Sequence, residues 1–164
     1  MGRKSTRENK TAYQLAREEA GLTLEEAENR MNGMTAERIS RIEGGAVHVQ
    51  PEDVILMAEC YKAPALKNYF CTHECAIGRE TVPEIESKSI AQIAIETLNS
   101  LNKISQKKDR LLEIVEDGQV MNDELEDFLS IKAVLDRIAS SVSTLQLWVE
   151  GQIAAGKLNK EDFE

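Results

Sequence analysis

Phe128, Ile131, Leu135, Ile138, Val142, Leu145 and Val149 follow one another at alternating steps of three and four. A spacing that averages 3.5 residues keeps side chains in one line along an α-helix, whereas a strand would scatter them over both faces. Over Glu84–Asp117 the residues Ile90, Ala94, Leu101, Ile104, Leu111 and Val115 keep mostly the same steps, and Gly118 interrupts them. The spacing predicts two helices of about 30 residues, each roughly 45–50 Å long at 1.5 Å per residue. The short link EDGQVMN forces them antiparallel, and the lines of apolar residues read as a coiled-coil-like seam. Ile93, Ile95, Leu98, Leu112, Ile114, Leu129, Leu147 and Trp148 lie off that line and widen it. Two hairpins packed face to face would bury the excess, which gives a four-helix dimer. The other arrangement folds the hairpin back on the rest of the chain; dimerisation is preferred, because so long a rod outreaches a small domain. Leu101, Ile104, Leu111, Phe128, Ile131, Leu135, Ile138, Val142, Leu145 and Trp148 are the expected contacts.

The first half has another rhythm. Ala12, Leu15 and Ala16 mark a short amphipathic helix that stops at Gly21. Thr23 is a helix cap, with Glu26 completing a capping box, and the helix after it ends at Asn32-Gly33. Thr35 caps a third helix, with Ile39 and Ile42 inward, closed by Gly44-Gly45. Pro51 opens a fourth, with Glu52 and Asp53 in its first turn and a core stripe of Val54, Met57, Ala58 and Tyr61. Pro64 stops it, and Leu66, Tyr69 and Phe70 mark a fifth. The fold class is therefore all-α: a five-helix N-terminal domain, then a long antiparallel helical hairpin. The expected boundaries are a basic arm at 1–10, the helical domain at 11–78, the hairpin at 79–155 and an acidic tail at 156–164.

Charge divides along the same line. The chain of 164 residues has a formal net charge of −9, an unpromising sign for contact with phosphates. Yet residues 1–50 hold eight Lys/Arg against eight Asp/Glu, and residues 76–164 hold ten against seventeen. Arg3, Lys4, Arg7 and Lys10 stand against Glu8 alone in the first ten residues. A neutral domain with a basic arm suits nucleic acid even when an acidic half follows.

The stretch LTLEEAENRMNGMTAERISRIEGG supplies what a helix-turn-helix needs inside: Ala27 and Met31 on its first helix, Met34 after the turn, and Ile39 and Ile42 on the second. Thr35, Ala36, Glu37, Ser40 and Arg41 are then left on the outer face, with Arg38 at its flank. From Ala12 to Tyr61 the chain resembles the Cro/repressor-like (XRE) helix-turn-helix family, through AREEAGLTLEEA, ISRIEGG and VILMAECY. The resemblance covers about a third of the chain. It implies a lambda-repressor-like five-helix domain that binds double-stranded DNA as a dimer on a palindromic operator. The family's Arg-x-Glu pair matches Arg41 and Glu43, read as partly structural. Three positions depart from the family: an extra residue in the turn at Asn32-Gly33, Glu28 where a small residue packs, and Leu24 in place of a glutamine. Glu28 must turn outward or find a partner, for which Arg38 is in reach, since a buried unpaired carboxylate costs several kcal/mol.

The groove-facing chemistry is lean. Glu37 can accept from a cytosine amino group, Ser40 can donate or accept, Arg41 can take guanine or a phosphate, and Ala36 can meet a thymine methyl. Thr23 and Thr35 at helix starts, the loop to Gln50, and Arg3, Lys4, Arg7 and Lys10 are the expected phosphate anchors.

At the junction, Cys71, His73 and Cys75 fall within YFCTHECAIGR. Three soft ligands so close could hold zinc, or two thiols could form a redox pair, but a structural zinc site needs four ligands, and on a helix His73 points away from the two cysteines. Packing residues are the preferred reading, with no metal and no cofactor. Three cysteines in all suit reduced thiols. No apolar run reaches about 18 residues, no signal peptide is visible, and no set of nucleophile, base and oxyanion donors appears. The sequence thus predicts a cytoplasmic, non-enzymatic transcriptional regulator, a repressor rather than an activator. The alternative is an antitoxin-like or adaptor protein whose acidic hairpin binds a partner protein.

Overall fold

The computed structural model describes residues 10–163, and among them every regular element is helical. The chain divides into two compact units, one of residues up to Glu84 together with those from Val149, the other of Ile85–Trp148.

In the first unit, α1 (Ala12–Glu19), α2 (Leu24–Arg30), α3 (Ala36–Glu43), α4 (Pro51–Cys60) and α5 (Ala65–His73) form the five-helix domain, followed by one short turn of helix, α6 (Gly78–Thr81). Their starts are written in the caps. Thr11, Thr23 and Thr35 each accept a hydrogen bond from the backbone N–H three residues on. Glu26 reaches back to the Thr23 N–H at 2.8 Å, which completes the capping box. Ala27, Met31, Met34, Ile39 and Ile42 all lie in the core, joined by Val54, Met57 and Ala58 from α4, Tyr61 just after it, and Leu66 from α5. These side chains lock α2 and α3 onto the scaffold of α1, α4 and α5. Deleting any large one would leave a cavity and cost about 2–5 kcal/mol.

One local expectation changes, and one open alternative is decided. Leu15 is exposed, and Tyr13 takes the buried place on α1. The reason is tertiary: the Tyr13 ring meets Tyr69 edge-on at 5.7 Å, and its hydroxyl donates to Glu74 at 2.9 Å, so α1 turns that face toward α5. Glu28 takes the outward course and is exposed.

The second unit contains α7 (Ile90–Gln106), α8 (Lys108–Ile114) and most of α9 (Leu125–Ala154). The expected first long helix begins only at Ile90, where Ser89 and Gln92 form a capping box, and breaks at Lys107, whose ψ of 2° leaves the helical region. The hairpin is antiparallel. Lys107 donates to Ser130 and Arg110 to Asp127, so a step forward on one side is a step back on the other.

Its buried line differs from the expected one. Ile93, Ser100 and Ile114 are buried on α7 and α8, and Ile131, Val134, Ser141 and Thr144 on α9. Leu101, Val115, Leu135, Val142 and Leu145 are exposed. Apolar residues occupy two adjacent lines, so spacing fixes the period of the seam and leaves its phase open. The hydroxyls of Thr97 and Thr144 donate to carbonyls four residues back, at 2.7 and 2.8 Å, which lets polar residues sit in the closed line.

Candidate nucleic-acid interface

The α3 helix is held from both sides. Behind it, Arg17 of α1 donates from Nε and Nη2 to the two carboxylate oxygens of Glu43, both at 2.7 Å, and from Nη1 to the Leu22 carbonyl at 2.6 Å. The Thr11 hydroxyl donates to the Glu43 carbonyl at 3.2 Å. Both members of the pair are buried, and the Glu43 carboxylate holds the Arg17 guanidinium above its usual pKa. The sequence placed Glu43 beside Arg41 in one motif. Glu43 is the structural half, its partner is Arg17, and Arg41 stays exposed.

At its flank, Arg38 donates to both oxygens of Asp53, from Nε at 2.9 Å and from Nη2 at 2.5 Å. Asp53 also accepts from the Gln50 N–H at 2.9 Å, which joins α3 to the start of α4. Partial burial pushes the Asp53 carboxyl up, but Arg38 and the Gln50 N–H outweigh it and hold the group below the usual carboxylate range. Arg38 is thus a positioning residue, tied to Asp53 rather than to Glu28. Neither Arg17 nor Asp53 was legible as a brace, because each pairing spans a long stretch of chain and leaves no periodic trace.

What remains on the outer face is Glu37, Ser40 and Arg41, all exposed, with Ala36 half-buried. Their side chains make no hydrogen bond or ion pair among the described residues. A hollow of about 180 Å³ beside them is lined by Thr35, Glu37, Arg38, Arg41 and Val47. Thr35 caps α3 by accepting from the Arg38 N–H, and among the described residues no carboxylate accepts from the Thr35 N–H. Thr23 differs: the Glu26 carboxylate already occupies the N–H at the start of α2. Gln50 is exposed at the start of α4. Lys10 is paired with Glu18 at 2.6 Å, and Arg3, Lys4 and Arg7 lie outside the described residues.

Cys71, His73 and Cys75 do not converge. His73 stacks on Tyr69 with ring centres 4.5 Å apart, the Cys75 sulfur accepts from the Gly78 N–H at 3.4 Å, and all three cysteines are free and half-buried. Among the described residues no group of three His, Cys, Asp or Glu side chains is placed to hold a metal ion. The ten residues expected at a dimer contact fall into two sets. Ile131 is buried and Ile104, Leu111, Phe128, Ile138 and Trp148 are half-buried, while Leu101, Leu135, Val142 and Leu145 are exposed.

Two short helices crossing through a tight turn, the second braced from behind and bare in front, define a helix-turn-helix domain. The comparison with family models agrees: residues 14–67, about a third of the chain, match the model described as a helix-turn-helix domain. The chain carries that domain, whose class points to a DNA-binding regulator. No curated protein and no solved structure matches the chain. No described helix is long and apolar enough to cross a membrane.

Proposed function

We propose that this protein is a transcriptional regulator of the Cro/repressor (XRE) type that binds double-stranded DNA in a sequence-specific way and acts by binding, without catalysis, in the cytoplasm. The reading rests on one observation above the others. Within an α3 whose other charged residues, Arg38 and Glu43, are spent on internal pairs, Glu37, Ser40 and Arg41 stand exposed and uncommitted on one face.

With α3 in the major groove, Arg41 donates to guanine or to a phosphate, Ser40 bonds a base edge, and Glu37 accepts from a cytosine amino group. Thr35 and Gln50 donate to phosphates on either side. So few cationic contacts bind one half-site weakly. Two copies on a palindromic operator supply the affinity, with their recognition helices about 34 Å apart along the duplex. Repression follows by occupying DNA that polymerase needs.

Fluorescence anisotropy of a labelled mixed-sequence duplex, titrated with the full chain at several salt concentrations, tests the reading. Binding that falls steeply with salt, and that Arg41→Ala with Ser40→Ala removes while the thermal melt stays unchanged, is the expected result. Binding that ignores both changes would place the contact elsewhere. No binding at low salt would end the DNA reading.

A further inference from the structure

We propose that one face of the α7–α8–α9 hairpin is a homodimer interface, on which a second copy of this chain packs to form a four-helix bundle. It deepens the DNA reading, and it rests on that reading for its purpose, because two half-sites need two copies.

A one-residue offset marks the face. Six exposed apolar side chains each follow a buried or half-buried seam residue by one position: Leu98 after Thr97, Leu101 after Ser100, Leu112 after Leu111, and on α9 Leu135 after Val134, Val142 after Ser141, Leu145 after Thr144; Ile90 and Ile95 do not share the offset. In an antiparallel pair, chain direction and facing side are both reversed, so a step of one residue leads to the same flank from either helix. All six therefore stand on one flank of the hairpin. The positions one residue before the seam carry Asn99, Lys103, Arg110 and Arg137, so the opposite flank is polar.

These six side chains are between 40% and 61% exposed. With their neighbours they offer on the order of 700 Å² of largely apolar surface, close to the ~800 Å² per partner of a stable complex. An interface about a two-fold axis must complement itself, and an apolar face does so without setting like charges together. Lys132, on the same flank after Ile131, is already paired with Asp136 at 2.7 Å. The polar flank stays in water.

Light scattering and sedimentation of the full chain test this without DNA. The expected result is a species of twice 18.3 kDa at micromolar concentration. Leu101→Glu with Val142→Glu should weaken self-association by about 100-fold or more and yield a monomer of unchanged helicity by circular dichroism. Asn99→Glu, on the opposite flank, should leave the dimer intact. Should the double variant lose helicity, the milder Leu101→Ser with Val142→Ser is read instead, and a folded monomer is again expected. A wild-type monomer at 50 μM would overturn the inference and leave the face to another protein, and so would a dimer that survives the changes. A dimer that binds no DNA would sink the regulator reading and leave the interface standing; a monomer that binds DNA would do the reverse.

Discussion

Arg17 holds Glu43 through two hydrogen bonds of 2.7 Å, and with them ties the last turn of α1 to the last turn of α3. Both groups are buried, so neither can fall back on water if the other is removed. Arg17→Met should therefore cost about 3–5 kcal/mol in urea unfolding, since it strands a buried carboxylate. Arg17→Met together with Glu43→Leu should recover much of that loss. A single variant within about 0.5 kcal/mol of the wild type would show that the pair does not hold α3.

The Arg38–Asp53 pair predicts an acid-sensitive brace. Asp53 titrates lower in the folded chain than in the unfolded one, so its contribution is fully present above the ordinary value near ~3.9. It is lost as pH falls from there through the lower folded value. Thermal melts of the wild type and Asp53→Asn, taken from about pH 6 to about pH 3, should converge as the pH drops. A gap that stays constant over that range would remove Asp53 as its cause.

Gly78 opens α6 against the backbone of α5. A Cβ built there would sit 2.2 Å from the Cys71 carbonyl oxygen and 2.9 Å from the Cys71 Cα, both backbone atoms. Gly78→Ala should cost about 1–3 kcal/mol in chemical denaturation, the penalty of overpacking. An unchanged midpoint would mean that the approach of α6 to α5 relaxes freely.

Tyr61 is buried, and its hydroxyl has no hydrogen-bond partner among the described residues. Burial, with the Glu43 carboxylate next, holds the phenol well above its usual pKa. Tyr61→Phe removes an unsatisfied group and keeps the ring, so it should be neutral or stabilising by up to about 1 kcal/mol. A loss of more than about 2 kcal/mol would show that the hydroxyl has a partner in solution.

Sequence and structure part company at identifiable points. The caps at Thr23 and Thr35 and the five core positions of the helix-turn-helix are local or periodic, and all were legible. Tyr13 replaced Leu15 because α1 answers to α5, some fifty residues away. The phase of the hairpin seam was hidden for another reason: two adjacent lines of α9 carry apolar residues, the closed one shared with Ser141 and Thr144, and only the partner helix decides which one closes. In the site, Glu37, Ser40 and Arg41 could be read from the helix period. That Arg38 is spent on Asp53, and Glu43 on Arg17, could not, since an ion pair across the chain has no signature in spacing.

The bare face of α3 is the proposed DNA-reading surface. Selection from a pool of random duplexes, carried through several rounds with the full chain and with Arg41→Ala, tests this. The wild type should enrich one palindromic sequence, and the variant should lose preference at one base pair in each half-site, a discrimination worth about 1–3 kcal/mol. A pool that stays random under the wild-type protein, or an enriched sequence unmoved by Arg41→Ala, would contradict it.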